Sequence, residues 1–151
     1  MSSFGLNPVN ESTDSLASDG FFPEIEIGDF QKVFHEVNGV DFEKIKFQLL
    51  LAMAYVNTRL ESVKENTTVN TLAETNTNTV GGLSVTELHY QTAVFAHAKA
   101  ELLPVAIDVV SREKASDLES NREQLTRDFR TTRNQAIRTL LGKNSATVEL
   151  I

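Results

Sequence analysis

Three histidines, His35, His89 and His97, and no cysteine limit the chemistry open to this chain. Without thiols there is no disulfide, no thiolate metal site and no cysteine nucleophile. His89 and His97 are eight residues apart and would share a broad helix face. No third ligand stands at metal-site spacing from them, so solvated or interface histidines are the better reading. No metal and no cofactor are expected. Glu24 and Glu26 sit at strand spacing on one face of an extended segment, a pairing suited to acid–base work, but no pocket can be argued around them. The G-x-S-x-G, P-loop and H-E-x-x-H patterns are absent. The chain reads as a non-enzyme.

A second group of residues points to binding. Between positions 120 and 143, Arg122, Arg127, Arg130, Arg133, Arg138 and Lys143 oppose only Glu123 and Asp128. At about 100° per residue, Arg127, Arg130 and Arg138 fall on one helix face, while Arg122 and Arg133 swing toward the apolar side. Such a face suits an acidic partner, DNA in a channel, or simple solvation with ion pairs to the chain's own acidic half. The last source is ample. Residues 1–80 carry 5 Lys/Arg against 12 Asp/Glu, residues 81–151 carry 9 against 9, and the whole chain is −7. A net acidic protein is poorly suited to wrapping duplex DNA, because phosphate neutralisation supplies most non-specific affinity. An acidic partner, within or between subunits, is preferred.

The elements that would position these residues follow from periodicity. At 151 residues with 40% apolar content, one domain with a modest core is expected. Residues 1–20, rich in Ser, Asn, Asp and Gly, read as a flexible N-terminal arm. Phe21-Phe22-Pro23 is extended, since Pro23 disfavours helix at Phe22, and the two rings need a surface in the bundle or on a neighbouring subunit. Asp29 is placed to cap a short helix, Phe30 to about Glu36, ended by Asn38-Gly39.

Asp41 then caps a first long helix whose stripe is Phe42, Ile45, Leu49, Ala52, Val56, Leu60 and Val63. Phe47, Leu50, Leu51, Ala54 and Tyr55 widen it, which implies neighbours on more than one side. Residues 64–84 form a long polar loop with Leu72 and Ala73 as its anchor. Ser84, with Glu87 three residues later, opens a second long helix, with small alanines at 93, 96, 98 and 100. Pro104 is expected to kink or end it, with Val105–Val110 continuing past the kink. A third long helix spans about Ser116–Leu141, its core face being Leu118, Leu125, Phe129, Ala136, Ile137, Leu140 and Leu141, with Gly142 as its stop.

The expected fold is all-α: a small bundle of three long helices plus a short N-terminal one, with extended arms at both ends. The helical domain is 21–142, and 143–151 is an extended tail closing on strand-like Thr147-Val148-Glu149-Leu150-Ile151. Met1-Ser2-Ser3-Phe4 has neither the basic start nor the apolar run of a secretory signal, and no run is apolar enough to span a membrane, so a soluble protein made in the cytoplasm is expected.

Several stretches, taken in order, carry a resemblance. They are Gly20-Phe21-Phe22-Pro23-Glu24-Ile25, the capped helix with Leu49 to Asn57, and Tyr90 to Ala100. Asp128-Phe129-Arg130, Ala136-Ile137-Arg138, Leu141-Gly142 and the closing Thr147 to Ile151 complete the set. Over roughly residues 20–151 the chain resembles the head-completion (head-stabilisation) proteins of tailed phages related to phage P2.

The resemblance implies a non-enzymatic adaptor, made in the bacterial host cytoplasm, that adds to the portal after DNA packaging. It would form a ring matching the portal, expected to be dodecameric, stabilise the filled head and offer the docking surface for tail-side connector or terminator proteins. Its place would be the head–tail junction of the virion, with DNA passing without sequence-specific contact and no membrane involved. Within this picture Thr147, Val148, Glu149, Leu150 and Ile151 are expected to dock on the portal. Phe21, Phe22 and Pro23 are expected at a subunit or tail contact. The alternative is a small helical regulator or nucleic-acid-binding module using the basic 122–143 face.

Overall fold

A computed structural model describes residues 13–110 and 115–143. Two short strands, β1 (Ser15–Leu16) and β2 (Ile25–Glu26), pair antiparallel, and β2 runs straight into helix α1 (Ile27–Val33). A 3-10 turn (His35–Gly39) leads to α2 (Phe42–Arg59), which breaks at Leu60 before the short α3 (Glu61–Glu65). A second 3-10 turn (Leu72–Thr75) and a hairpin of β3 (Thr79–Val80) and β4 (Leu83–Ser84) precede α4 (Val85–Val110) and α5 (Ala115–Leu140). The fold is all-α in substance, and both sheets are two-stranded ornaments on it.

Helix α4 is the centre of the bundle. Tyr90, Ala93, Val94, Phe95, Ala96, Ala98, Ala100, Leu102 and Leu103 are all buried, so the helix has neighbours on nearly every side. Helices α2 and α5 both lie against it. Glu101 meets Arg130 and His97 meets Arg133, so α4 and α5 run antiparallel. The alanines let these backbones approach closely, since a methyl is all that separates them. Aromatic rings tie α1 in: Phe30 packs edge-on against Phe34 and Phe95, each at 5.2 Å, and Phe34 meets Phe129 of α5 at 5.6 Å. Lys99 is buried with its ammonium 5.0 Å above the Phe34 ring.

The N-terminal segment joins this core at Leu16, ahead of the boundary expected at residue 20. Leu16 is buried and the Ile27 amide donates to the Asp14 carbonyl. The connection between the strands is held by Asp19, whose Oδ1 accepts from the Phe21 and Phe22 amides and whose Oδ2 meets Lys64 at 2.6 Å. Burial alone would raise the Asp19 pKa, but these hydrogen bonds and the lysine hold it below the ordinary carboxylate value. Asp19 thereby turns Phe21 and Phe22 inward. Both rings are buried in the chain's own core, with Phe22 stacked on Tyr90 at 5.7 Å.

The segment over 64–84 is no plain loop. Leu72 is 1% exposed, its amide donates to the Phe21 carbonyl, and its carbonyl accepts from Thr86 Oγ1. Gly81 and Gly82 have φ of +59° and +80°, the tight two-residue turn that only glycine enters freely. Ser84 Oγ accepts from the Glu87 amide and opens α4 at the expected place.

Three expectations are corrected, for Asp29, for the end of the first long helix and for Leu125. Asp29 does not cap a helix at Phe30; α1 begins three residues earlier, at Ile27, because the β1–β2 pairing already orders its first amide. The first long helix ends at Arg59 rather than continuing to Val63. Pro104 lies inside α4, which continues to Val110, the course allowed for by the apolar run past it. An interior proline loses one ladder bond and costs about 3 kcal/mol; Leu102 and Leu103 just before it are buried. Leu125, read as core, is 42% exposed, because the tight packing of α5 lies toward its C-terminal end, at Ala136 and Ile137.

A half-buried chain of polar groups links α4, α2 and the β1–β2 connection: Tyr90 Oη donates to Asn57 Oδ1 at 2.6 Å, and Asn57 Nδ2 donates to Ser18 Oγ at 3.0 Å. Tyr90→Phe leaves the Asn57 oxygen without its donor and is expected to cost about 1–3 kcal/mol in urea denaturation. Leu72→Ala is expected to cost about 2–5 kcal/mol in the same assay, whereas Leu83→Ala, at an exposed hairpin position, is expected to change stability by less than about 0.5 kcal/mol.

Candidate functional site

Among the described residues no group of three or more His, Asp or Glu is placed to hold a metal ion, and no described helix is long and apolar enough to cross a membrane. Glu24 and Glu26 point outward from β2 on either side of the buried Ile25. His35 is exposed and His89 is half-buried. His97 is different. Its ring stacks on Tyr55 at 4.5 Å, and its Nδ1 lies 2.9 Å from Arg133 Nη1. A guanidinium only donates, so Nδ1 accepts and the ring proton sits on Nε2.

The arginines of α5 part company by environment. Arg122 pairs with Glu119 one turn back at 2.8 Å, and Arg127 donates to Gln124. Arg130 reaches across to Glu101 of α4 at 3.1 Å. Arg133 is half-buried, its guanidinium 4.6 Å above the Tyr55 ring, which also carries Arg59 at 4.9 Å. Arg138 is exposed near the end of the helix. The five therefore do not form one continuous basic face. Arg133 instead stands with Arg59, Arg138 and Lys143 around a cleft of about 550 Å3 between the C-terminal ends of α2 and α5. Sequence reasoning over 120–143 had no means of adding Arg59, which comes from another helix and follows Tyr55 by one helical turn.

A third feature was legible only as an ambiguity. Phe47, Leu50 and Leu51 of α2, read as facing further neighbours, stay 59%, 42% and 45% exposed. No described element covers them, and Phe47 and Leu50 line a groove of about 580 Å3 that reaches Glu101 and Leu102. The Phe21-Phe22 contact expected with a neighbour is filled inside the subunit, and of that triplet only Pro23 stays partly exposed. Thr147, Val148, Glu149, Leu150 and Ile151 lie outside the described residues.

Among the described residues, the subunit is helical and presents an uncovered apolar stripe and a basic cleft. The sequence model of the phage head completion protein (GPL) family matches residues 16–151. The "Probable head completion/stabilization protein" of Haemophilus phage HP1 (strain HP1c1) is 31% identical over 141 residues, covering 90% of this chain and 91% of that one. The chain belongs to the phage head completion protein family, and its role is structural, in the head of the virion. No solved structure matches it.

Burial lowers the His97 pKa below its ordinary 6.5, and the Arg133 charge adds to the effect. The unfolded chain thus takes up this proton near pH 6.5 and the folded chain only lower down. Stability is full above that value and is lost as the pH falls through the folded pKa. Thermal melts between about pH 8 and pH 5 are expected to fall more steeply for the wild type than for His97→Gln. Parallel curves would show that His97 does not contribute.

Proposed function

We propose that this protein is the head-completion adaptor that adds to the portal once DNA packaging is finished. It forms a ring matched to the portal, stabilises the filled head and presents the docking surface for tail-side connector or terminator proteins at the head–tail junction. The observation that carries this reading is the apolar stripe of Phe47, Leu50 and Leu51 on the outside of α2. A subunit of this size gains nothing by exposing such a stripe to water, and a face of this kind is met by another protein. Family membership supplies the setting in which that protein is a component of the virion.

The C-terminal segment Thr147–Ile151 is, in this reading, the portal contact, added as a strand or inserted into a groove. DNA passes through the ring without sequence-specific binding. The chain's net charge of −7 supports passage over adhesion, since polyanion and protein repel at a distance.

Purified protein mixed with the cognate portal is expected to give, in native mass spectrometry, a defined complex with one copy per portal subunit. Removing Ser145–Ile151 is expected to abolish that complex while leaving the far-UV spectrum of the subunit unchanged. A portal that is never bound, together with salt-sensitive affinity for duplex DNA, would overturn the adaptor reading in favour of a nucleic-acid-binding module.

A further inference from the structure

Two clefts on the subunit carry opposite charge. The larger, between the C-terminal ends of α2 and α5, is lined by Arg59, Arg133, Arg138 and Lys143, and no carboxylate is among its lining residues. Three cations elsewhere are matched: Lys64 by Asp19, Arg122 by Glu119 and Arg130 by Glu101. None of the four cleft cations has a carboxylate partner among the described residues. Two of them, Arg59 and Arg133, share the Tyr55 ring, so like charges are held close together. Burial lowers the Arg133 pKa, and the Arg130 and Arg59 charges push the same way, against Tyr55 and Glu101.

The smaller cleft, about 180 Å3, lies between β2, β4 and the start of α4. It is lined by Pro23, Glu24 and Glu87 among others, and by no Lys, Arg or His. Glu26 stands two residues beyond Glu24, on the same outward side of the strand. Residues 1–31 hold six Asp/Glu and not one Lys or Arg. This acidic edge hangs from α2 through Ser18 and Asn57. Tyr55 and Arg59 flank Asn57 by two residues on each side, which is about 200° round the helix. The attachment at Ser18 and the Tyr55–Arg59 pair therefore sit on opposite faces of α2, and no described ion pair joins Glu24 or Glu26 to the cleft cations.

We propose that the basic cleft receives the Glu24–Glu26 edge of a second copy of this chain, joining subunits head to tail. The inference deepens the ring reading above and rests on it. A heterologous contact of this kind closes into a ring when its rotation allows, and charge complementarity fixes its direction and register. The clustering of four cations around one pocket fits a compact carboxylate edge better than the extended track of a DNA backbone.

The absence of native cysteine gives a clean test. Pro23→Cys on the acidic edge and Ser62→Cys in the cleft leave every charge in place. With a short bismaleimide linker, a mixture of the two single variants is expected to give dimers containing one chain of each. The double variant is expected to give a ladder, both free at high concentration and on the portal. Arg59→Glu with Arg138→Glu is expected to lower the yield by about tenfold or more, and Glu24→Lys with Glu26→Lys in the partner chain to restore it.

Dimers formed by either single variant alone, or a yield indifferent to the charge reversals, would overturn the proposal. So would duplex DNA that binds through Arg59 and Arg138 and blocks the link, because the cleft would then take phosphate. A portal complex without the 23–62 link refutes this interface and leaves the adaptor reading standing; the ladder without a portal complex does the reverse.

Discussion

Helix α4 has to be covered on nearly all sides, and the rest of the subunit follows from that requirement. Its alanines at 93, 96, 98 and 100 are buried, as are Tyr90, Val94, Phe95 and Leu102. A helix so apolar in its middle gains only when other elements close over it. Helix α5 takes one side and α2 another, and Phe30 of α1 and Phe22 of the N-terminal segment cover the remainder. Few of these coverings are independent. Asp19 turns the Phe21-Phe22 pair inward, Leu72 ties Phe21 to Thr86, and Tyr90 ties α4 to α2 and the first hairpin.

With the core spent on one central helix, the outer faces of its partners are left for other uses. Helix α2 shows this best. Its inner face, with Ile45, Leu49, Ala52 and Val56, is fully covered, while Phe47, Leu50 and Leu51 on the outside remain in solvent. Its C-terminal end carries the acidic hairpin on one side and Arg59 with Tyr55 on the other. A subunit built in this way has apolar and charged surfaces that no described part of its own chain satisfies. That is the economy of an assembly protein, in which contacts among virion components complete what the fold leaves open.

The long helices were legible because each repeats an apolar stripe over several turns, and because Ser84 and Gly142 punctuate two of them. Leu72 was legible as a lone apolar residue in a polar stretch. The two-residue strands were not, since so short a pairing has no period and depends on partners about ten residues away. Pro104 left an end and a continuation of α4 both open, because the rule against interior proline is local, whereas the packing around the helix is not. Leu125 misled for the converse reason: it has the spacing of the core face, but the part of α5 that holds it is less deeply covered.

The candidate sites divide along the same line. The sequence by itself determined that no thiol chemistry exists, that the front of the chain is acidic, that arginines gather near its end and that three long helices build the subunit. Only the tertiary structure decided that Phe21 and Phe22 turn inward, that Arg130 is matched by Glu101, and that Arg133 meets Arg59, Arg138 and Lys143 around one cleft. The physical reason is range. Periodicity, capping and charge counts are properties of neighbours along the chain, while burial and ion pairing belong to residues brought together from distant parts of it.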